Sequence, residues 1–152
     1  MRRDVEIYVA MLHRLAEGDH GWGKPYNFAA WYILDHAVPG VEQAGAARSD
    51  PASENRFDDA LQATLRAQAA DLPALTFVRS IDEVYDGQRP DPNQIRHGGA
   101  FVALGPIVGD RQTAQVGVMF YAGHRWARWM RYHLERVDGA WWVTGREELA
   151  LS

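Results

Sequence analysis

Asp138-Gly139 stands between two runs of strand-forming residues, and this dipeptide constrains the chain more than any other feature. A two-residue Asp-Gly turn matches the twist of the strands it joins and so sets a hairpin register. The register pairs Val137 with Ala140, Arg136 with Trp141, Glu135 with Trp142 and Leu134 with Val143. Side chains alternate along a strand, so the pairing divides the hairpin into two faces. Trp126, Arg128, Met130, Tyr132, Leu134, Trp141 and Val143 share the apolar face, which is expected to meet helices. Trp129, Arg131, His133, Glu135, Trp142 and Thr144 share the outer face, expected to meet water or a partner.

The period of two begins at Gly98. Ala100 to Leu104 alternates up to Gly105-Pro106, Ala114 to Tyr121 alternates next, and the hairpin strands follow; Leu149-Ala150-Leu151 reads as a last short strand. Before Gly98 the spacing is helical. Val5, Tyr8, Val9, Leu12, Leu15 and Ala16 mark one helix face, with Asp4 as N-cap and Gly18 as the stop. A second helix is expected from about Glu54 to Asp71, capped by Ser53 or Ser49 and ended by Pro73. Its buried stripe is Phe57, Ala60, Leu61, Thr64, Leu65, Gln68 and Leu72. A strand lies between the helices at residues 29–36, and Leu75-Thr76-Phe77-Val78 is a brief one after them. The expected fold is α+β, with helices packed on one face of a curved antiparallel sheet.

The 152 residues suit one domain, and a chain of this size buries enough surface to fold without staples. With no cysteine, a thiol nucleophile and thiolate zinc sites are excluded. Net charge is −4, which disfavours a nucleic-acid binder. The charge is uneven: 9 Lys and Arg face 15 acids over residues 1–95, and 7 Arg face 5 acids over residues 96–152. An anion-binding function therefore belongs to the C-terminal third. Lys24 is the single lysine, a usage that points to a GC-rich bacterial genome. The start, Met1-Arg2-Arg3-Asp4-Val5-Glu6, has no apolar stretch behind it, and no run approaches the ~18 apolar residues of a membrane span. A cytoplasmic protein without membrane contact is expected.

The element order, ending in a long hairpin, resembles the cystatin-like α+β cone of the nuclear-transport-factor-like and SnoaL-like superfamily. More locally, Leu104-Gly105-Pro106, Val116 to Gly123 and Tyr132 to Val143 are similar to the endings of small uncharacterised bacterial proteins. The superfamily resemblance implies a pocket between sheet and helices, used by cyclases, isomerases and hydrolases and by non-catalytic binders alike. None of its catalytic motifs transfers residue by residue.

The residues themselves offer a short list of candidates. Asp35 and His36 close the first strand, and a carboxylate beside an imidazole suits acid/base catalysis. Arg128, on the apolar face, either finds a carboxylate or an anionic ligand, with Asp35 as a candidate partner, or sits at the sheet rim and snorkels to water. Tyr132 can donate to a ligand oxygen. Asp35, His36 and Tyr132 are thus the candidate catalytic groups, with Trp31, Tyr121, Trp126 and Arg128 as ligand contacts. The six histidines are scattered without ligand spacing, so no metal and no cofactor are expected. Two function classes remain: a cofactor-independent enzyme on a small apolar organic substrate, or a non-catalytic ligand-binding or protein-interaction module. Trp129 and Trp142 on the outer face further suggest a homodimer through that face, with Glu135 pairing with Arg131 across the axis.

Overall fold

The computed structural model describes residues 2–21, 26–43, 56–90 and 92–152. Helix α1 covers Arg2–Arg14 and runs on into one π-turn over Leu15–Asp19. Val5, Ile7, Tyr8, Met11, Leu12 and Leu15 are buried, a wider stripe than the spacing marks out. One expectation is corrected here: Asp4 lies in the first turn rather than at the cap. Gly18 does break the winding, its backbone being extended at φ 165°, and just beyond this kink the Asp19 carboxylate is drawn inward by side chains of the sheet.

Strand β1 spans Trp31–Leu34, shorter than expected, with Asp35 still donating its N–H to Val78 O at 2.8 Å. Helix α2 covers only Asp59–Gln68. Its cap is Asp58, whose carboxylate accepts from Leu61 N at 2.7 Å. The expected caps Ser49 and Ser53, and the expected start at Glu54, lie outside the described residues. Arg56 and Phe57 are extended instead, because Phe57 N donates to Asp35 O and Arg56 bridges His36. The buried residues of α2 are Gln62 and Leu65, with Leu61 and Leu72 partly buried, while Ala60 and Gln68 are exposed.

The remaining strands are β2 (Leu75–Val78), β3 (Ala100–Gly109), β4 (Thr113–Gly123), β5 (Trp126–Val137) and β6 (Ala140–Leu151). The six form one sheet in the order β2-β1-β3-β4-β5-β6. Strands β3 to β6 are the expected antiparallel meander. The sheet as a whole is mixed, because β1 lies parallel to both β2 and β3. The fully antiparallel expectation fails at the two connections leaving β1 and β2. Helix α2 carries the chain back to the starting end of the sheet, and residues 79–99 do so again, and each return makes the next strand parallel. Strand β3 also continues past Gly105-Pro106 through an irregularity between Leu104 and Ile107, which spares the ladder the N–H that Pro106 lacks.

Both faces of the sheet are covered. On one side α1 and α2 pack against Trp31, Ile33, Val102, Val118, Phe120 and Met130. On the other, Val38, Val41, Val78, Val84 and Ile95 close over Tyr32, Leu34, Phe101, Ala103 and Met119. That second layer has little regular structure, which is why an alternating pattern alone leaves this face looking open. Trp129 packs at its border, so the two outer-face indoles are separated: Trp129 is half-buried and Trp142 is 59% exposed.

The hairpin forms in the register that the turn dictates, with Asp138 and Gly139 at φ 53° and 80°. Strand β6 then runs unbroken to Leu151 rather than as two pieces, because single-residue bulges at Thr144 and Leu149 absorb the curvature. The first bulge reverses the alternation. Arg146 and Glu148 come to oppose Tyr132 and Met130 on the helix face, and Glu147 opposes Arg131 on the outer one.

Candidate functional site

The helix face of β5 meets the end of the π-turn in a cluster that the fold builds from distant segments. Trp126, Arg128 and Tyr132 lie along one side of the strand, at alternate positions. Tyr132 is fully buried and donates its hydroxyl to Asp19 Oδ2 at 2.9 Å. Arg146 Nη1 reaches Asp19 Oδ1 at 2.7 Å, and Arg14 Nε lies 3.4 Å from Oδ2. Burial, followed by the Asp19 charge and its hydrogen bond, pushes the Tyr132 phenol far above its ordinary range. A phenol so held is a fixed donor and has no role as a base at neutral pH.

Six residues back along the strand, Trp126 Nε1 donates to His20 O at 2.8 Å. The His20 ring is fully buried against Phe28 and Trp126, at 5.5 and 5.9 Å between centroids. Phe28 also packs on Trp31 at 5.2 Å and on Trp126 at 5.1 Å, so Trp31 joins the same aromatic cluster from β1. The space between sheet and helices is thus filled with rings at this end.

The opening lies at its rim. A cleft of about 170 Å³ is bounded by His20, Gly21, Arg125, Trp126, Arg128 and Ser152, among others. Arg128 forms an ion pair with Glu148, made possible by the β6 bulge that turns Glu148 inward. Its Nε is buried and has no hydrogen-bond partner. Gly21 lets the guanidinium lie this close: φ is +116°, and a Cβ there would stand 3.0 Å from Arg128 Cδ. Arg125, exposed, forms no ion pair among the described residues. The exposed Arg125 gives the cleft its positive charge, the Arg128 charge being shared with Glu148.

The other candidates lie elsewhere. Asp35 and His36 do come together, with His36 Nδ1 donating to Asp35 Oδ1 at 2.8 Å. His36 is 2% exposed, and its Nε2 is buried without a partner. The pair stands beyond β1, which is separated from β5 by β3 and β4, or about 14 Å at ~4.8 Å per strand. Asp35 therefore does not serve Arg128; its second oxygen faces Arg56 Nε at 3.8 Å. Tyr121 lies on the opposite face, half-buried beside Tyr85 at 6.5 Å, and burial raises its phenol pKa. The outer-face ion pairs are likewise formed within the chain, Arg131 being held by Glu42 at 3.4 Å and Glu147 at 2.9 Å. Among the described residues no three His, Asp or Glu side chains are grouped to hold a metal ion. No helix among them is long and apolar enough to cross a membrane.

Sequence reasoning passes over Asp19, His20, Arg125 and Arg146 as site residues, while Gly21 reads as part of a Gly21-to-Pro25 turn at the rim of a pocket mouth. Asp19-His20 reads as the start of a glycine-rich loop, and the one available signal is an acid and an imidazole directly following an apolar helical stripe. No family model matches the chain, and neither a curated protein nor a solved structure does.

Proposed function

We propose that this protein is a non-catalytic binding module for a small ligand, whose anionic head group seats in the cleft between the His20-Gly21 turn and the start of β5. The observation that carries the reading is Arg128, a mostly buried cation at the cleft wall with an unsatisfied Nε. The cleft has room for five or six waters at ~30 Å³ each, so it takes a head group rather than a whole drug-sized molecule. Trp126 supplies the flat apolar wall. Binding is favoured over catalysis because the acid/base pair Asp35–His36 is two strands away and the Tyr132 proton is committed to Asp19. The element order of a cystatin-like, SnoaL-like cone belongs to the same proposal and rests on order alone.

The test uses benzoate and its neutral analogue benzyl alcohol in calorimetry and thermal unfolding. Benzoate at 100 times its Kd should add about 2.7 kcal/mol of stability. Arg125→Ala, an exposed change, should weaken benzoate by about tenfold without lowering the Tm of the free protein. Absence of saturable benzoate binding, or binding indifferent to Arg125, overturns the reading.

A second reading, acid/base catalysis on a small organic substrate without a cofactor, has its own observation in the unpartnered His36 Nε2 held by Asp35. It calls for turnover of an activated ester that His36→Gln abolishes and Arg125→Ala leaves intact. Self-association through the open strip of the outer face is also proposed. Its anchor is Trp142 alone, since Trp129 is packed and Arg131 already paired. Sedimentation at micromolar concentration, with Trp142→Ser for comparison, decides it.

A further inference from the structure

The far end of the hairpin carries a second feature, independent of the cleft. Along β5, Trp126 and Arg136 are ten residues apart, which is roughly 33 Å at ~3.3 Å per residue. A groove of about 300 Å³ lies here between the first turn of α1, the β3–β4 turn and the β5–β6 hairpin. Arg2, Arg3, Arg111 and Arg136 line it with a single carboxylate, Glu6, so its formal charge is +3 in a chain whose net charge is −4. We propose that this groove binds a small phosphate-bearing ligand.

Three observations support it. The first is the charge left uncompensated. Arg2 pairs with Glu6 and Arg3 with Asp4, each at 3.1 Å, but Arg111 and Arg136 form no ion pair among the described residues. The neighbouring Asp110 forms no ion pair with Arg111; its Oδ1 accepts from Gln112 N at 2.8 Å and Thr113 N at 2.9 Å, closing its own turn. The second is that the arginines are placed on connected backbone. Arg136 N donates to Gln112 O at 2.8 Å, which ties the end of β5 to the turn carrying Arg111. Arg136 also stands opposite Trp141, 7% exposed, in the hairpin register. The third is the helix. The 13-residue α1 presents its N-terminal end to the groove, where amide groups and the helix dipole favour an anion.

The ligand class follows from shape and charge together. Guanidinium groups arriving from three elements suit the tetrahedral, multiply charged phosphate, which each planar fork engages through two oxygens. The volume falls at the lower end of small-molecule sites, which run ~300–1,000 Å³, and the groove is concave rather than a flat basic stripe.

Calorimetry and amide chemical-shift mapping with inorganic pyrophosphate test the proposal, with inorganic phosphate and glucose 6-phosphate as further arms and a capped tetraglutamate peptide as competitor. Saturable pyrophosphate binding is expected, with shifts at Arg111, Arg136 and Gly139. It should weaken by at least about tenfold in Arg136→Ala and in Arg111→Ala. Arg136→Lys, which keeps the charge and loses the fork, should fall between. Arg79→Ala, an exposed arginine away from the groove, should change nothing. Circular dichroism confirms that each variant folds. Glucose 6-phosphate binding more tightly than phosphate would assign an organic phosphate, and the reverse an inorganic one. No saturable binding, an equal loss in Arg79→Ala, or a tighter complex with tetraglutamate than with pyrophosphate overturns the proposal.

Discussion

The two faces of the sheet carry ion clusters of the same chemistry in opposite surroundings. On the helix face Asp19, 9% exposed, receives the Tyr132 hydroxyl and the Arg146 guanidinium beneath a filled aromatic core. On the outer face Glu42, 14% exposed at its side chain, holds Arg131, and Glu147, at 46%, joins Arg131 to His133; the contrast lies in the Tyr132 hydroxyl, which is fully buried on the helix face and has no counterpart here. Exposed pairs typically contribute ~0–1 kcal/mol, whereas a buried donor such as the Tyr132 hydroxyl left without its acceptor costs ~1–3 kcal/mol. The same residue types therefore specify structure on one face and decorate it on the other. The bulge at Thr144 is what sorts them, by placing Arg146 on the helix face and Glu147 on the outer one.

The largest expected effect breaks the buried set. Asp19→Ala leaves the fully buried Tyr132 hydroxyl without its acceptor, while Arg14 and Arg146 still reach water, and should cost about 2–3 kcal/mol. For a chain of this length that lowers Tm by about 4–12 °C. Glu147→Ala, measured beside it, should leave Tm within experimental scatter. If the two midpoints move equally, burial does not separate the faces and the contrast fails.

Glycine substitutions sharpen the contrast at a smaller scale. Gly21 sits at φ +116° against Arg128, so Gly21→Ala brings both backbone strain and a clash with a mostly buried side chain. A cost of about 1–3 kcal/mol is expected, with loss of benzoate binding. Gly117 lies under Glu42, and a Cβ there would stand 2.6 Å from its Oε2. That contact is the far end of a flexible side chain, which can swing toward water and release Arg131. Gly117→Ala should therefore cost under ~1 kcal/mol. Urea unfolding of both variants checks the order.

What was legible in the sequence divides along similar lines. The hairpin register and the helix-facing side chains of β5 follow from Asp138-Gly139 because a two-residue turn acts locally. Extrapolating that register beyond Thr144 places Glu147 rather than Arg146 on the helix face, and nothing in Thr144-Gly145 announces the extra residue. The parallel placement of β1 depends on where two long connections return, which is a property of packing rather than of any strand. At the candidate site, Trp126 and Arg128 were readable as inward residues, and Asp35 and His36 as a pair. Their separation was not readable, since it depends on the strand order. Asp19 and His20 were hidden for another reason: a π-turn has no residue pattern of its own, and the partners that hold it come from residues 126–146.

The smallest effect concerns protonation on the outer face. The Glu147 carboxyl is held below the usual glutamate value, ~4.3, first by its hydrogen bond from His133 and then by the Arg131 charge. A depressed carboxylate pKa contributes stability that is present above the unfolded value and is lost as pH falls through the folded one. The Glu147 carboxylate should therefore release its small contribution only below about pH 4. Carboxyl-carbon NMR titration should place Glu147 below the other exposed glutamates, and His133→Gln should move it back up. Asp19, whose partners are Arg14, Arg146 and Tyr132 on the opposite face, should not respond to that substitution. A shift at Asp19 would mean that the two clusters communicate through β5 and β6, and the division between the faces would have to be abandoned.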